Sequence, residues 1–232
     1  MRINKFLSEA GICSRRKADQ EIASGHVKIN GQIATLGDTV FETDVVEYKG
    51  EVISAKQEKK VYLYYKPIGV VCTEDRREKD NLLDAVDLPE RVTYLGRLDK
   101  NSEGLLLLSN DGILNQQLMR PGFYHEKEYE VQIDRPVTAE LIKKLSEGVY
   151  LTELDRTTRP CTVKKLRSDT FSIILTQGLN RQIRRMCKEL GCHVKKLIRV
   201  RICNLTLDDM KPGDLRELTA EEERTLREQI DR

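Results

Sequence analysis

The sequence has no tryptophan, only three histidines, and six cysteines with no Cys-x-x-C pair among them. Zinc ribbons and zinc fingers are thereby excluded, because they need closely paired thiolates and imidazoles. Cys187, Cys192 and His193 do lie near one another in sequence. Cys187, however, falls on the apolar stripe of an expected helix, so these thiols are read as buried and free, and no metal site is expected. Cys13, Cys72, Cys161 and Cys203 are too scattered to form a disulfide framework. No apolar run approaches the roughly 20 residues of a membrane span. The chain also starts on the amphipathic stretch Met1 to Ala10, not on an apolar signal core. A cytoplasmic protein with no membrane partner is expected. Repeats and low-complexity tracts are lacking too. Net charge is almost absent, since 40 Lys and Arg against 38 Asp and Glu leave +2, and global charge therefore does not identify a partner.

What the sequence does have is enough apolar content, 39%, to bury a core, and a length of 232 residues that suits one generous domain or two small ones. Its charge is strongly segregated. Between Thr176 and Arg201 eight basic residues face Glu189 alone, a balance of +7, whereas Asp208 to Arg232 carries nine acidic and five basic residues, a balance of −4. Such a distribution points to a polyanion-binding face backed by an acidic tail.

The first segment predicts two short helices and a hairpin. Ile3, Phe6, Leu7 and Ala10 recur at helical spacing until Gly11 ends the run. Ser14 is placed to cap a second helix, with Ala18 and Ile22 on its inner side and Gly25 at its C′ position. The period then changes to two at Val27 and Ile29, and Asn30-Gly31 is a strong type I′ turn signal before Ile33. The polar stretch Ser54 to Lys60 reads as a linker. Beyond it come expected strands at Val61 to Tyr65, Val70 to Thr73, Val92 to Leu95, Leu105 to Ser109, Glu128 to Ile133, Pro160 to Leu166 and Phe171 to Thr176. Expected helices cover Gly112 to Met119, Thr138 to Glu147 and Arg181 to Leu190. Strands and helices do not alternate regularly, which favours a mixed, mainly antiparallel sheet over a doubly wound one.

Three groups of residues carry candidate chemistry. Arg15, Arg16 and Lys17 open the second helix, where unpaired N–H groups and side chains together could meet phosphate; a solvated basic turn is the alternative. Asp99, in Gly96-Arg97-Leu98-Asp99-Lys100, precedes the apolar strand Leu105-Leu106-Leu107-Leu108. A carboxylate held between two apolar strands suits a nucleophile or base, yet a salt-bridged turn would read the same way. On the helix from Arg181, with Asn180 as its cap, Ile183, Met186, Cys187 and Leu190 form the buried stripe. Arg181, Arg185 and Lys188 then point outward, toward phosphates or only solvent, while Arg184 sits about 100° from Ile183 at the stripe's edge and can reach inward. Tyr129, alternating with Val131 and Ile133, reads as a core tyrosine, and Lys127 touches either phosphate or solvent.

Leu7-Ser8-Glu9-Ala10-Gly11, Cys13-Ser14-Arg15-Arg16-Lys17-Ala18-Asp19, Gly25-His26-Val27 and Ile29-Asn30-Gly31 resemble the S4 RNA-binding domain. The Arg97-Leu98-Asp99 segment resembles the active-site motif of the RsuA/RluB/RluE/RluF family of ribosomal RNA pseudouridine synthases. Lys66-Pro67-Ile68-Gly69-Val70, His125-Glu126-Lys127-Glu128-Tyr129 and Gly178-Leu179-Asn180-Arg181-Gln182-Ile183-Arg184-Arg185-Met186 follow the family order, and the resemblance is closest to the RluF branch, although Leu179 departs from the basic residue of sister branches. The resemblance implies an α+β protein: an S4 domain of two helices plus a β-hairpin, with its linker, over 1–58, and a synthase domain with a mixed, mainly antiparallel sheet flanked by helices over 59–232. It implies Asp99 as the catalytic carboxylate, Arg184 as its ion-pair partner, Tyr129 against the uracil ring, and Arg97 in the space vacated by the flipped base. Arg181, Arg185, Arg15, Arg16 and Lys17 are then substrate-binding. Lys66 and Pro67 support the loop. Isomerisation gains and loses no atoms, so no cofactor is expected. The partner implied is ribosomal RNA, most simply large-subunit RNA or its assembly precursor, met by a monomer. The competing readings are a non-catalytic S4-type ribosome-associated factor and a nucleoside hydrolase releasing free uracil.

Overall fold

The computed structural model describes residues 1–54, 58–75, 77–119 and 124–230. The chain divides into two units: Met1–Lys60 with the short pieces Leu88–Thr93 and Ser109–Gly112, and Val61–Asp87 with Tyr94–Leu108 and Ile113–Arg232. The linker expected at Ser54 to Lys60 falls in part on residues 55–57, outside the described residues.

In the first unit, helices α1 (Ile3–Glu9) and α2 (Arg15–Ala23) pack beside strands β1 (Val27–Ile29), β2 (Gln32–Ile33), β3 (Val46–Tyr48) and β4 (Glu51–Ile53), which form an antiparallel sheet in the order β2-β1-β3-β4. Ser14 caps α2 by accepting the Lys17 N–H at 3.3 Å. The helix ends in a Schellman motif, with the His26 N–H on the Glu21 carbonyl and the Gly25 N–H on that of Ile22. Asn30 and Gly31 both take positive φ, as a type I′ turn demands, and Lys49-Gly50 repeats the device between β3 and β4. Ile3, Leu7, Ala18, Ile22, Val27 and Val46 close the core. At its margin the Glu21 carboxylate accepts bonds from Lys17, His26 and Tyr48 and lies 3.4 Å from Lys49. These donors, Lys17 first and His26 next, hold its carboxyl down at a pKa of about 2.

The second unit is built on a nine-stranded mixed sheet. Its strands and helices are, in chain order, β5 (Val61–Lys66), α3 (Leu82–Ala85), β6 (Thr93–Leu95), β7 (Glu103–Ser109), α4 (Gly112–Met119), β8 (Lys127–Ile133), α5 (Ala139–Glu147), the small hairpin strands β9 (Tyr150–Leu151) and β10 (Arg156–Thr157), β11 (Thr162–Arg167), β12 (Thr170–Leu175), α6 (Gln182–Glu189), β13 (Val194–Ile202), β14 (Leu205–Thr206), β15 (Leu215–Glu217) and α7 (Ala220–Ile230). The order across the sheet is β11-β12-β8-β13-β7-β5-β15, with β14 on β13 and β6 on β7. The β13–β7 pair is parallel, whereas β11, β12, β8 and β13 are successively antiparallel, as are β15 and β5. One apolar cluster joins β8, β12, α5 and α6 through Val131, Phe171, Ile173, Leu145 and Met186. Another joins β5, β7, α4 and α7 through Leu63, Leu105, Leu107, Leu114 and Leu226. The α+β class and the mainly antiparallel sheet are those expected.

Two expectations are corrected. Val70 to Thr73 is not a strand: Val71 makes only a lone bridge to Asn81, its N–H donating to the Asp80 carbonyl and its C=O accepting from the Leu82 N–H at the start of α3. The acidic carboxyl-terminal stretch is not a tail. Within it β15 pairs with β5, and α7 buries Leu226 and Ile230 at i, i+4 spacing while Glu221 and Glu228 are exposed.

Candidate active site

Asp99 lies in the loop between β6 and β7. The loop is anchored after it by β7, every residue of which is buried. Lys66, fully buried at the end of β5, donates from Nζ to the Ser102 and Pro67 carbonyls at 2.8 Å each. The Ser102 N–H returns to the Asp99 carbonyl at 3.0 Å, and the Gly69 N–H reaches that of Lys100 at 2.9 Å. Lys66 thus supports the loop, as expected of it. Gly104, the second residue of β7, has φ +116, and a Cβ there would stand 2.3 Å from the Arg199 carbonyl oxygen. Only glycine allows β7 and β13 to approach this closely in parallel.

The Asp99 side chain, 33% exposed, opens on a cleft of about 570 Å³. Arg97, Tyr129, Arg181 and Arg184 line the same cleft. Four of the expected site residues therefore surround the carboxylate. Arg97 is exposed and Tyr129, on β8, is half-buried, packing against the β8–β12 core with part of its ring while facing the cleft with the rest.

The arginine nearest Asp99 is not the expected one. Arg181 Nη1 lies 3.5 Å from Asp99 Oδ2. Arg184 instead spends its guanidinium on backbone: Nη2 donates to the Asn101 carbonyl at 2.8 Å and Nη1 to the Val194 carbonyl at 3.2 Å, with Ser102 Oγ at 3.4 Å. The reason is local. Helix α6 starts at Gln182, and Arg181 sits at the cap position in the left-handed region, φ 51, so the helical wheel that sends Arg181 outward does not apply to it. Asn180 is correspondingly not the cap. Its carbonyl and side-chain oxygens accept bonds from Arg185 at 2.9 and 3.2 Å. Arg185 and Lys188 are paired with Glu153, so they are not a free basic face either. Burial, and then the neighbouring Arg181 charge, pull the Arg184 pKa below its usual value while Asp99 opposes them; a guanidinium remains charged throughout.

Sequence reasoning missed three further cations of the cleft wall. Arg199 is 2% exposed and donates from Nε to the Leu105 carbonyl at 2.6 Å. Arg156 and Arg159 come from the β9–β10 region, and the Arg159 guanidinium lies 4.5 Å above the Tyr124 ring. No spacing in the sequence marks these two, because their place depends on a hairpin of two-residue strands. In the other unit Arg15 and Arg16 are exposed at the start of α2, whereas Lys17 is engaged by Glu21 at 2.9 Å. One carboxylate surrounded by many cations is an arrangement that attracts a polyanion.

Residues 60–189 match the family model described as RNA pseudouridylate synthase, and residues 1–46 match that of the S4 domain. Over 224 residues the chain is 46% identical to an Escherichia coli strain K12 protein named dual-specificity RNA pseudouridine synthase RluF, a match spanning 96% of this chain and 77% of that one. A Bacillus subtilis strain 168 protein named ribosomal large subunit pseudouridine synthase B is 39% identical, with 97% and 95% of the two chains covered. A crystal structure described as pseudouridylate synthase superposes with a TM-score of 0.72 at 29% identity, covering 97% of this chain and 99% of the other.

Proposed function

Since the chain belongs to the RNA pseudouridine synthases, which are isomerases, and carries an S4 domain before its synthase region, we propose that it converts one specific uridine of ribosomal RNA, in the large-subunit RNA, to pseudouridine. Residues 1–58 serve as the RNA-docking domain with its linker and 59–232 as the catalytic domain, acting as a cytoplasmic monomer.

The observation that carries this reading is the placement of Asp99 in a cation-lined cleft beside Tyr129. The target base leaves its stack, Arg97 takes its place in the RNA, and the base lies against Tyr129. The Asp99 carboxylate attacks C1′, or removes the C2′ proton, as the C1′–N1 bond breaks. The uracil turns, C5 bonds to C1′ as the Asp99 oxygen leaves C1′ or the C2′ proton is returned, and the C5 proton is lost as N1 gains one. Arg181 steadies the charge of Asp99, and Arg184 steadies the loop that bears it. Arg15 and Arg16 meet backbone phosphate.

Carbodiimide mapping of pseudouridine across total RNA from cells with and without the gene tests the reaction and finds the target, including any second RNA of the kind the E. coli relative's name announces. One vanished site in large-subunit RNA is expected. Asp99→Asn should abolish the product while leaving RNA affinity nearly unchanged, and turnover within about tenfold of wild type would remove Asp99 from its role.

A further inference from the structure

Lys127 is a cation of the cleft whose surroundings do not account for it. It opens β8 two residues before Tyr129, so the two side chains leave the same face of the strand about 7 Å apart. Both line the cleft. The ammonium has three donors, and it makes one long bond, 3.5 Å, to the His125 carbonyl of its own strand approach. Among the described residues no carboxylate lies within ion-pairing distance of it. Lys66 is the instructive contrast, being more deeply buried yet matched to two carbonyls at 2.8 Å. Lys127 is half-buried, and its neighbour Arg199 carries the same sign of charge. Burial, with Arg199 second, pulls its pKa below the ordinary lysine value. A positive charge held this way is stabilised when an anion arrives.

Resting on the reading of the site given above, we propose that Lys127 is a further catalytic residue, whose ammonium contacts a ring carbonyl oxygen of the extruded uracil and takes up the negative charge that develops there as the C1′–N1 bond breaks. Heterolysis leaves the bonding pair on N1, delocalised onto O2 and O4, whichever way Asp99 acts at the sugar. That charge exists while the base is detached and disappears when C1′ bonds to C5 and the protons are exchanged, so no external reagent is consumed. An ammonium beside it favours the detached state over the bound uridine, which is the condition for accelerating the step. A phosphate contact fits Lys127 less well. The exposed Arg97, Arg156 and Arg181 lie at the rim, where phosphates can stay hydrated, while Lys127 is in the wall beside the ring-binding tyrosine.

The test compares wild type, Lys127→Met and Lys127→Arg in single-turnover reactions at saturating RNA, with uridine or 5-fluorouridine at the target, and follows consumption of the target nucleotide, since fluorine at C5 leaves no proton to lose and the rejoined base is not pseudouridine. Fluorine withdraws electrons and makes the base a better leaving group that needs less help. Lys127→Met should slow uridine turnover on the order of 10²-fold with RNA affinity held within about threefold, and Lys127→Arg should recover to within about tenfold of wild type. The defect should shrink at least about fivefold with 5-fluorouridine. Equal defects on the two bases, turnover of Lys127→Met within about threefold of wild type, or an arginine variant as slow as the methionine one would overturn the proposal. So would weakened binding whose salt slope falls by about one, the mark of a lost phosphate contact. Lys127→Gln replaces Lys127→Met if melting shows the latter unfolded. A wild-type protein that forms no product refutes the whole reading of the site; normal wild-type product with an indifferent Lys127 refutes the lysine alone.

Discussion

Arg184→Lys keeps a positive charge near Asp99 and removes the fork, which separates two roles that alanine would confound. The wild-type guanidinium spans the Asn101 carbonyl at 2.8 Å and the Val194 carbonyl at 3.2 Å, one at the foot of β7 and the other at the start of β13. A lysine ammonium reaches one of these acceptors and abandons the other. A lost bond from a charged donor to a partly buried carbonyl costs about 1.5 to 3 kcal/mol, and the exposure on the Asn101 side places the expected value near 2 kcal/mol. For a unit of this size that lowers the melting temperature by roughly 4 to 8 °C. A loop loosened by about 1 Å at its carboxylate costs about 10²-fold in rate, since proximity is much of what such a residue supplies. The assay pairs thermal unfolding with single-turnover release of the C5 hydrogen as tritium. RNA affinity should hold. A variant melting within about 1 °C of wild type and turning over within about threefold would show that charge alone is needed and that the fork has no positioning role.

Arg15→Ala with Arg16→Ala should weaken RNA binding and lower the salt slope by about one to two, and an unaltered slope would remove α2 from the RNA contact. The Glu21 carboxyl, held at about 2 in the fold against a reference of 4.5, contributes stability that is complete above about pH 4.5 and is lost as the pH falls toward 2. Glu21→Gln should therefore flatten the acid limb of the stability profile, and identical limbs in the two proteins would contradict the donor set drawn around it. Gly104→Ala places a Cβ 2.3 Å from the Arg199 carbonyl oxygen at φ +116. It should cost more than about 3 kcal/mol and prevent recovery of an active protein, and wild-type melting behaviour would refute the close approach of the two strands.

The parts of the fold governed by local chemistry were legible from residue order. The Ser14 cap, the Asn30-Gly31 turn, α4 from Gly112 to Met119 and the stop of α5 at Gly148 each follow from one or two residues whose conformational demands are strong. Strand β13 was not legible. It is the longest strand in the sheet and stands at its centre, yet Lys195, Lys196, Arg199 and Arg201 interrupt its apolar alternation and read as a phosphate-binding surface. One of those four, Arg199, is instead enclosed by the sheet. The α7 helix was hidden by its acidic residues in the same way. In the site, Asp99 stood out through its motif, but which arginine meets it depended on a single left-handed residue at Arg181, and no periodicity encodes that. The contribution of Arg156 and Arg159 depends wholly on tertiary placement.

The bonds that hold the Asp99 loop join residues far apart in the chain: Arg184 reaches back 83 positions to Asn101, and Arg199 reaches back 94 to Leu105. A growing polypeptide therefore emerges with its acid long before the side chains that aim it, and β7 must wait for its parallel neighbour to arrive from the other end of the domain. Closing such distant pairs is slow, so competence is reached at the close of folding, not on the way. A partly made or partly unfolded copy can carry the reactive group, but it has no means of using it on a passing RNA.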